Sequence, residues 1–432
     1  MAVESLGIQS SEYALPMPGR QKVQRSAPQR GEIISQRQPL PSKIQASRAA
    51  LNPSNYSRYL AILAVLAYYL WASTAFNDFS PNGYYNYLAR GLAAGHLYLP
   101  IEVNPLLLAQ PNPYDPSVPD ELKLHDMALY KGRYFLYHGP APALLAFLPY
   151  RLLSNRDMPE AIAVFLFVSL GFLANSITLS KLNPQAGPLL YLALGLANCI
   201  PFLLHRIFVY EVAIACGYAC LSAAFALYFY NRHVLAGLFF GLAFLARPHL
   251  ALALLFVGPR CWPSAAIAIL ASLTYNYLRF DSPLEFGLHY LIAGVNQQAP
   301  NFAAANLLPS LYLFLLEPPV WINRFPWLEI KSLTRIALPP TFFHENIMGA
   351  LWLSPFLLCT RPQVRLALTG LGLLLFLSST GWVTQRYLVD FLPLLVLAAL
   401  SRKAPALLQN TLILCGLAFN FLLHIQGPYN AP

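Results

Sequence analysis

The sequence predicts an all-α polytopic integral membrane protein with one large non-cytoplasmic loop. Three observations predict it. Of the 432 residues, 57% are hydrophobic and only 11% are charged, whereas a soluble domain carries about 25% charged residues. Mean hydropathy is +0.48. Apolar runs recur from residue 59 to residue 425, separated by short basic gaps, which fits about ten or eleven helical spans, some short enough to be half-spans.

The formal net charge is +10. In a soluble protein that excess would suggest nucleic acid. Here the basic residues lie in gaps between apolar runs, as in cytoplasmic loops, so no nucleic-acid partner is expected. The cysteines Cys199, Cys216, Cys220, Cys261, Cys359 and Cys415 lie in or beside apolar segments. Neither a disulfide framework nor a thiolate metal site is expected from them.

Residues 1–57 are polar and rich in Pro, Gln, Ser and Arg, with no apolar core of a secretory signal. They read as a disordered tail. Arg20, Lys22, Arg25, Arg30, Arg37, Lys43 and Arg48 outweigh Glu4, Glu12 and Glu32, which holds the N-terminus in the cytoplasm. Residues 58–432 form the transmembrane domain, including an outer loop over 77–140 and an outer segment over 278–346.

The first span covers residues 59–76, just enough to cross ~30 Å of hydrocarbon. Within the outer loop, Ser80 is placed to cap a helix with Pro81 at its first position. That helix, through Tyr84, Tyr85, Leu88 and Leu92 to Gly95, is expected to lie on the membrane surface. The stretch NPLLLAQPNPYDPSVPDE is too proline-rich for regular structure. Residues 127–138 read as a hairpin turning at Lys131-Gly132. Later apolar segments fall near 160–178, 187–204, 210–230, 234–246, 249–258, 262–277, 347–359, 366–383, 388–400 and 410–425. Alternation from an inside N-terminus puts Lys181, Arg232, Arg260, Arg361, Arg365, Arg402 and Lys403 on the cytoplasmic side, as the charge rule requires.

Four arginines break that rule. Arg206, Arg247, Arg279 and Arg386 fall on the outer side, at span ends or inside apolar runs. Ionisable groups at such depth are functional candidates. A planar guanidinium suits a lipid-linked phosphate because it bonds in bidentate fashion and keeps its charge when partly desolvated. The plainer reading is snorkelling to the interface. Asp78, directly after the first span, is placed either to act as general base on an acceptor hydroxyl or to cap a helix at the interface. His125, Asp126 and His138 share the outer loop at a spacing that matches no standard metal-ligand pattern, so they are read as a polar or acceptor site and no metal is assigned. Glu211 opens an apolar segment, where a carboxylate also stabilises a helix N-terminus.

The motif order resembles that of GT-C-fold glycosyltransferases, which take a sugar from a polyprenyl-phosphate donor, and is similar to a poorly characterised bacterial branch of them. The pieces that carry the resemblance are NDFSPNGYYNYLARGLAAGHLYL, HDMALYKGRYFLYHGPAPALLAFLP, VYEVAIACG, GLAFLARPH, YNYLRFDSPLEFGLHYLIAG and QRYLVDFLPLL. The resemblance implies a GT-C-like helical bundle in a bacterial plasma membrane. It makes Asp78 the catalytic residue and Arg247 and Arg386, with Arg206 and Arg279, the donor-phosphate ligands. The expected reaction is an inverting hexosyl or pentosyl transfer to a glycan, lipid or protein acceptor at the outer face, with no cofactor and no obligatory metal. Membrane lipids are the other partners. A transporter or flippase for a lipid-linked or anionic solute would use the same arginines without chemistry, and a non-catalytic partner in a cell-envelope complex is a third reading.

Overall fold

A backbone in hydrocarbon must satisfy its own amides, and the apolar runs of this chain do so as helices. The computed structural model describes residues 53–75, 83–294, 302–333, 335–402 and 404–426, all within the unit Leu51–Pro432. The first run is a single helix, α1 (Pro53–Ala75). Two shorter helices follow, α2 (Tyr84–Ala93), within the loop 77–140, and α3 (Leu148–Ser154), beyond it. Then come α4 (Glu160–Leu182), α5 (Pro188–Leu196), α6 (Val209–Phe229), α7 (His233–Ala246) and α8 (Trp262–Phe280). After a largely irregular stretch containing α9 (Leu307–Leu315), the chain ends in α10 (Val364–Ser379), α11 (Leu392–Leu400) and α12 (Ala406–Gln426).

Among the described residues, three helices are long and apolar enough to cross a membrane: α4, α6 and residues Ala406–Ile425 of α12. A 23-residue helix such as α4 is about 34 Å long at 1.5 Å per residue. Of these three, α6 is the most enclosed, packed between α4 and α7, with α8 against α7 as well.

The short helices stop where the sequence forces a break, and the breaks collect the polar residues. α7 ends at Ala246, with Arg247 already extended because Pro248 follows, and the chain continues as a 3₁₀ segment, Pro248–Phe256. Beyond α5, Asn198 bonds the Leu194 carbonyl (2.6 Å) and the Ile200 amide (2.7 Å), diverting the chain towards Arg206. After α10, Gly381 adopts φ 71°, a left-handed turn that favours glycine. It leads to the 3₁₀ segment Gln385–Asp390, which carries Arg386.

Three small sheets form among the described residues, and one of them ties the loop 77–140 to later chain. β1 (Met127–Tyr130) pairs antiparallel with β2 (Arg133–Phe135) and with β3 (Leu291–Ile292). Lys131 (φ 48°) and Gly132 (φ 72°) make the turn, both left-handed as a tight two-residue hairpin requires. β4 (Val320–Trp321) and β5 (Leu328–Glu329) form a hairpin of their own. β6 (Phe343–His344) runs parallel to β7 (Trp382–Val383), with Phe343 opposite Trp382.

Three expectations about the outer loop change. α2 begins at Tyr84, after a left-handed Gly83, rather than at Pro81; Ser80 and Pro81 lie outside the described residues. Its apolar face packs against protein: Tyr84, Tyr85 and Leu88 are buried, with Tyr85 stacked on Phe147 at 5.6 Å. The proline-rich stretch contains one helical turn, Pro105–Leu108, because the Asn104 side chain caps it by accepting from the Leu106 amide at 2.9 Å.

Candidate functional site

Two cavities share part of their lining, and they differ in character. The first, of about 310 Å³, is lined by His125, Asp126, Arg206, Glu345 and Arg386, with the aromatic rings of Phe208, Tyr210 and Trp382. The second, of about 380 Å³, is lined mostly by apolar groups such as Phe286, Phe302, Phe376 and Leu377, with Arg247 and His249 at its edge. Tyr137, Trp382 and Tyr387 line both and form the shared wall.

In the polar cavity, Asp126 stands at the foot of β1 in a left-handed conformation (φ 62°), its amide bonded to the Ile292 carbonyl at 2.8 Å. The Tyr210 hydroxyl donates to its carboxylate, and His125 Nε2 lies 3.5 Å from Oδ1. Burial pushes the Asp126 carboxyl above the usual carboxylate range, an effect that the charges of His125 and Arg386 partly offset. Burial, together with the Arg247 and Arg386 charges, holds His138 well below the ordinary histidine range.

Arg386 is gripped from two sides. Its Nη1 and Nη2 donate to the two carboxylate oxygens of Glu345, each at 2.8 Å, and Nη1 lies 3.9 Å from Glu211 Oε1. Its guanidinium faces the Tyr210 ring, 4.5 Å from the centroid. The β6–β7 pairing delivers Glu345, whose amide bonds the Val383 carbonyl at 2.9 Å. Glu211 stays with its own helix, accepting from the Phe208 amide at 3.0 Å and closing the first turn of α6.

Arg247 has a different partner. Its Nε (3.1 Å) and Nη2 (2.7 Å), together with His249 Nε2 (3.0 Å), converge on Oδ2 of the buried Asp390. His249 stacks on Phe376 at 5.7 Å.

The sequence-derived candidates thus sort by place. His125, Asp126, Arg206 and Arg386 share the polar cavity, with Glu211 directly behind Arg386. Arg247 and His138 line the apolar one. Arg279 lines neither. Its Nη1 donates to the Leu136 carbonyl at 2.6 Å and its Nη2 to Asn276 at 2.7 Å, while the guanidinium lies against Tyr275, so it anchors the end of β2 to α8. Asp78 lies outside the described residues. Among the described residues no group of three His, Cys, Asp or Glu side chains is arranged to hold a metal ion.

Glu345 and Asp390 are the site residues that sequence reasoning missed. Asp390 had a signal, being a carboxylate just inside an apolar run. Glu345 had none, because only the β6–β7 pairing brings it to Arg386.

A glycine fixes the shared wall to α7. A Cβ on Gly139 would sit 1.7 Å from the Leu245 carbonyl oxygen and 3.1 Å from that of Ala246, both backbone atoms. Gly139→Ala is therefore expected to destabilise by about 1–3 kcal/mol, as overpacking does, and to displace the adjoining Tyr137 and His138 from the cavity lining. Thermal unfolding of the purified variant checks this; an unchanged midpoint would mean that the loop shifts freely.

Comparison with protein-family models, curated proteins and solved structures gives no match.

Proposed function

We propose that the chain is a polytopic membrane glycosyltransferase of the GT-C type, moving a sugar from a polyprenyl phosphate to an acceptor hydroxyl at the outer face of a bacterial plasma membrane. The observation that carries this reading is the abutting pair of cavities, one apolar and one polar and aromatic, divided by Tyr137, Trp382 and Tyr387. A polyprenyl-phosphate sugar has the same division. Its isoprenoid chain suits the apolar cavity. Its sugar suits one where rings offer flat faces to C–H groups while Asp126, His125 and Glu345 bond hydroxyls.

The phosphate then sits at the wall, within reach of Arg386 and Arg206 on one side and Arg247 on the other. Asp126 is the base that the described cavity supplies; Asp78 is its rival from the resemblance. The carboxylate takes the acceptor's hydroxyl proton, and the oxygen attacks the anomeric carbon opposite the phosphate. The carbon–phosphate oxygen bond breaks, and its electron pair leaves with the lipid phosphate. One displacement inverts the anomeric centre.

Purified protein incubated with a panel of radiolabelled polyprenyl-phosphate sugars and a mixed acceptor fraction should release free polyprenyl phosphate. Arg386→Ala is expected to abolish release, and Arg386→Lys to restore little, because an ammonium loses the bidentate geometry. Wild-type turnover in Arg386→Lys would remove the phosphate role. Saturable binding of a donor with no release from any member of the panel would favour the transporter or flippase reading.

A further inference from the structure

We propose that the guanidinium of Arg386 is an oxyanion-binding subsite, and that Glu345 is a displaceable stand-in occupying it until an anionic group of the ligand arrives. The inference rests on the glycosyltransferase reading and adds a competition inside the site. Glu345 meets Arg386 as a carboxylate or phosphate ligand would, with two parallel bonds of 2.8 Å. Both residues line the polar cavity. Their burial differs: the Glu345 side chain keeps 25% of its surface exposed and that of Arg386 10%. The backbone of Glu345 is pinned to β7, while its side chain has three rotatable bonds and a cavity of about 310 Å³ to swing into.

Arg386 does not depend on Glu345 for its place. The Tyr210 ring supports its guanidinium plane, and Glu211 remains at 3.9 Å as a second counter-charge, itself fixed by the Phe208 amide. The guanidinium therefore stays aimed at the cavity when Glu345 leaves. The other buried pair makes the contrast. Asp390 is 1% exposed and holds three bonds on one oxygen, so nothing in that geometry lets a ligand replace it.

The displacing oxyanion can be the lipid phosphate or a carboxylate on the sugar. Two probes separate these sources: sugar-free undecaprenyl phosphate and free glucuronate, each titrated into the full-length protein in nanodiscs. Glu345→Gln keeps size and one hydrogen bond while removing the competing charge. It is expected to tighten binding of one probe about tenfold, the factor that 1.4 kcal/mol of released competition supplies. The double variant Glu345→Gln/Arg386→Gln is expected to lose the whole gain, and the probe that responds names the source. If wild type binds a probe and Glu345→Gln binds it equally or more weakly, Glu345 is a fixed clamp and the inference falls while the glycosyltransferase reading stands. If neither protein binds either probe, the subsite and the donor-phosphate reading fall together.

Discussion

With Asp126 as the base of the proposed glycosyl transfer, Asp126→Asn is expected to lower turnover by about 10²–10⁴-fold, the usual contribution of a general base, while sugar-free polyprenyl phosphate still binds. The substitution keeps the shape of the side chain and an oxygen for the Tyr210 hydroxyl, so the fold around β1 is retained. What it removes is the ability to accept a proton. The pH profile carries a second signature. Burial raises the Asp126 carboxyl pKa, and a base acts only when deprotonated. Activity is therefore lost as pH falls through that raised value, and the acid limb lies above where an ordinary carboxylate would put it. Asp78→Asn, measured beside it, decides between the two aspartates. A loss of the same size there, with Asp126→Asn near wild type, would make Asp78 the base and leave Asp126 as an acceptor for Tyr210 and His125.

Much of the helical frame was legible because its cause is local. The run 160–178 is long and mostly apolar with no proline inside it, and it becomes α4 with a boundary shift of four residues at its C-terminal end. The Lys131-Gly132 turn was equally legible, since a glycine-containing pair between two aromatic-rich runs marks a tight hairpin. Arg206, Arg247, Arg279 and Arg386 stood out because charge at the end of an apolar run or within it is costly. Their fates did not, because position along the chain says nothing about what lies across from a side chain. Arg279 and Arg386 are alike in sequence context, yet one ends on a backbone carbonyl and the other on a carboxylate 41 residues away. Glu345 was hidden for the same reason. Two-residue strands such as β6 and β7 carry no periodic pattern, so the pairing that delivers it leaves no trace in the sequence. The apolar face of α2 was misread because amphipathic spacing fits a protein partner as well as a lipid one.

Arg247 calls for a test that separates its structural and functional duties. The sequence alone suggests that Arg247→Ala abolishes activity with nearly normal expression. The structure changes that expectation, since Asp390 loses its main counter-charge when Arg247 goes. Removing one partner of a buried ion pair costs about 3–5 kcal/mol, because the other is left uncompensated. Arg247→Met is therefore expected to lower the thermal unfolding midpoint of the detergent-purified protein and to abolish transfer, a result that a folding defect alone would explain. Replacing both members by apolar residues of similar size is often neutral or stabilising. The double variant Arg247→Met/Asp390→Leu is thus expected to recover most of the lost stability, with His249 left to its stacking on Phe376. If Arg247 also contacts the donor phosphate, the recovered protein remains inactive. If transfer returns together with the unfolding midpoint, Arg247 serves only to hold the Pro248–Phe256 segment against Asp390. The donor phosphate would then rest on Arg386 and Arg206 alone, on the polar side of the wall.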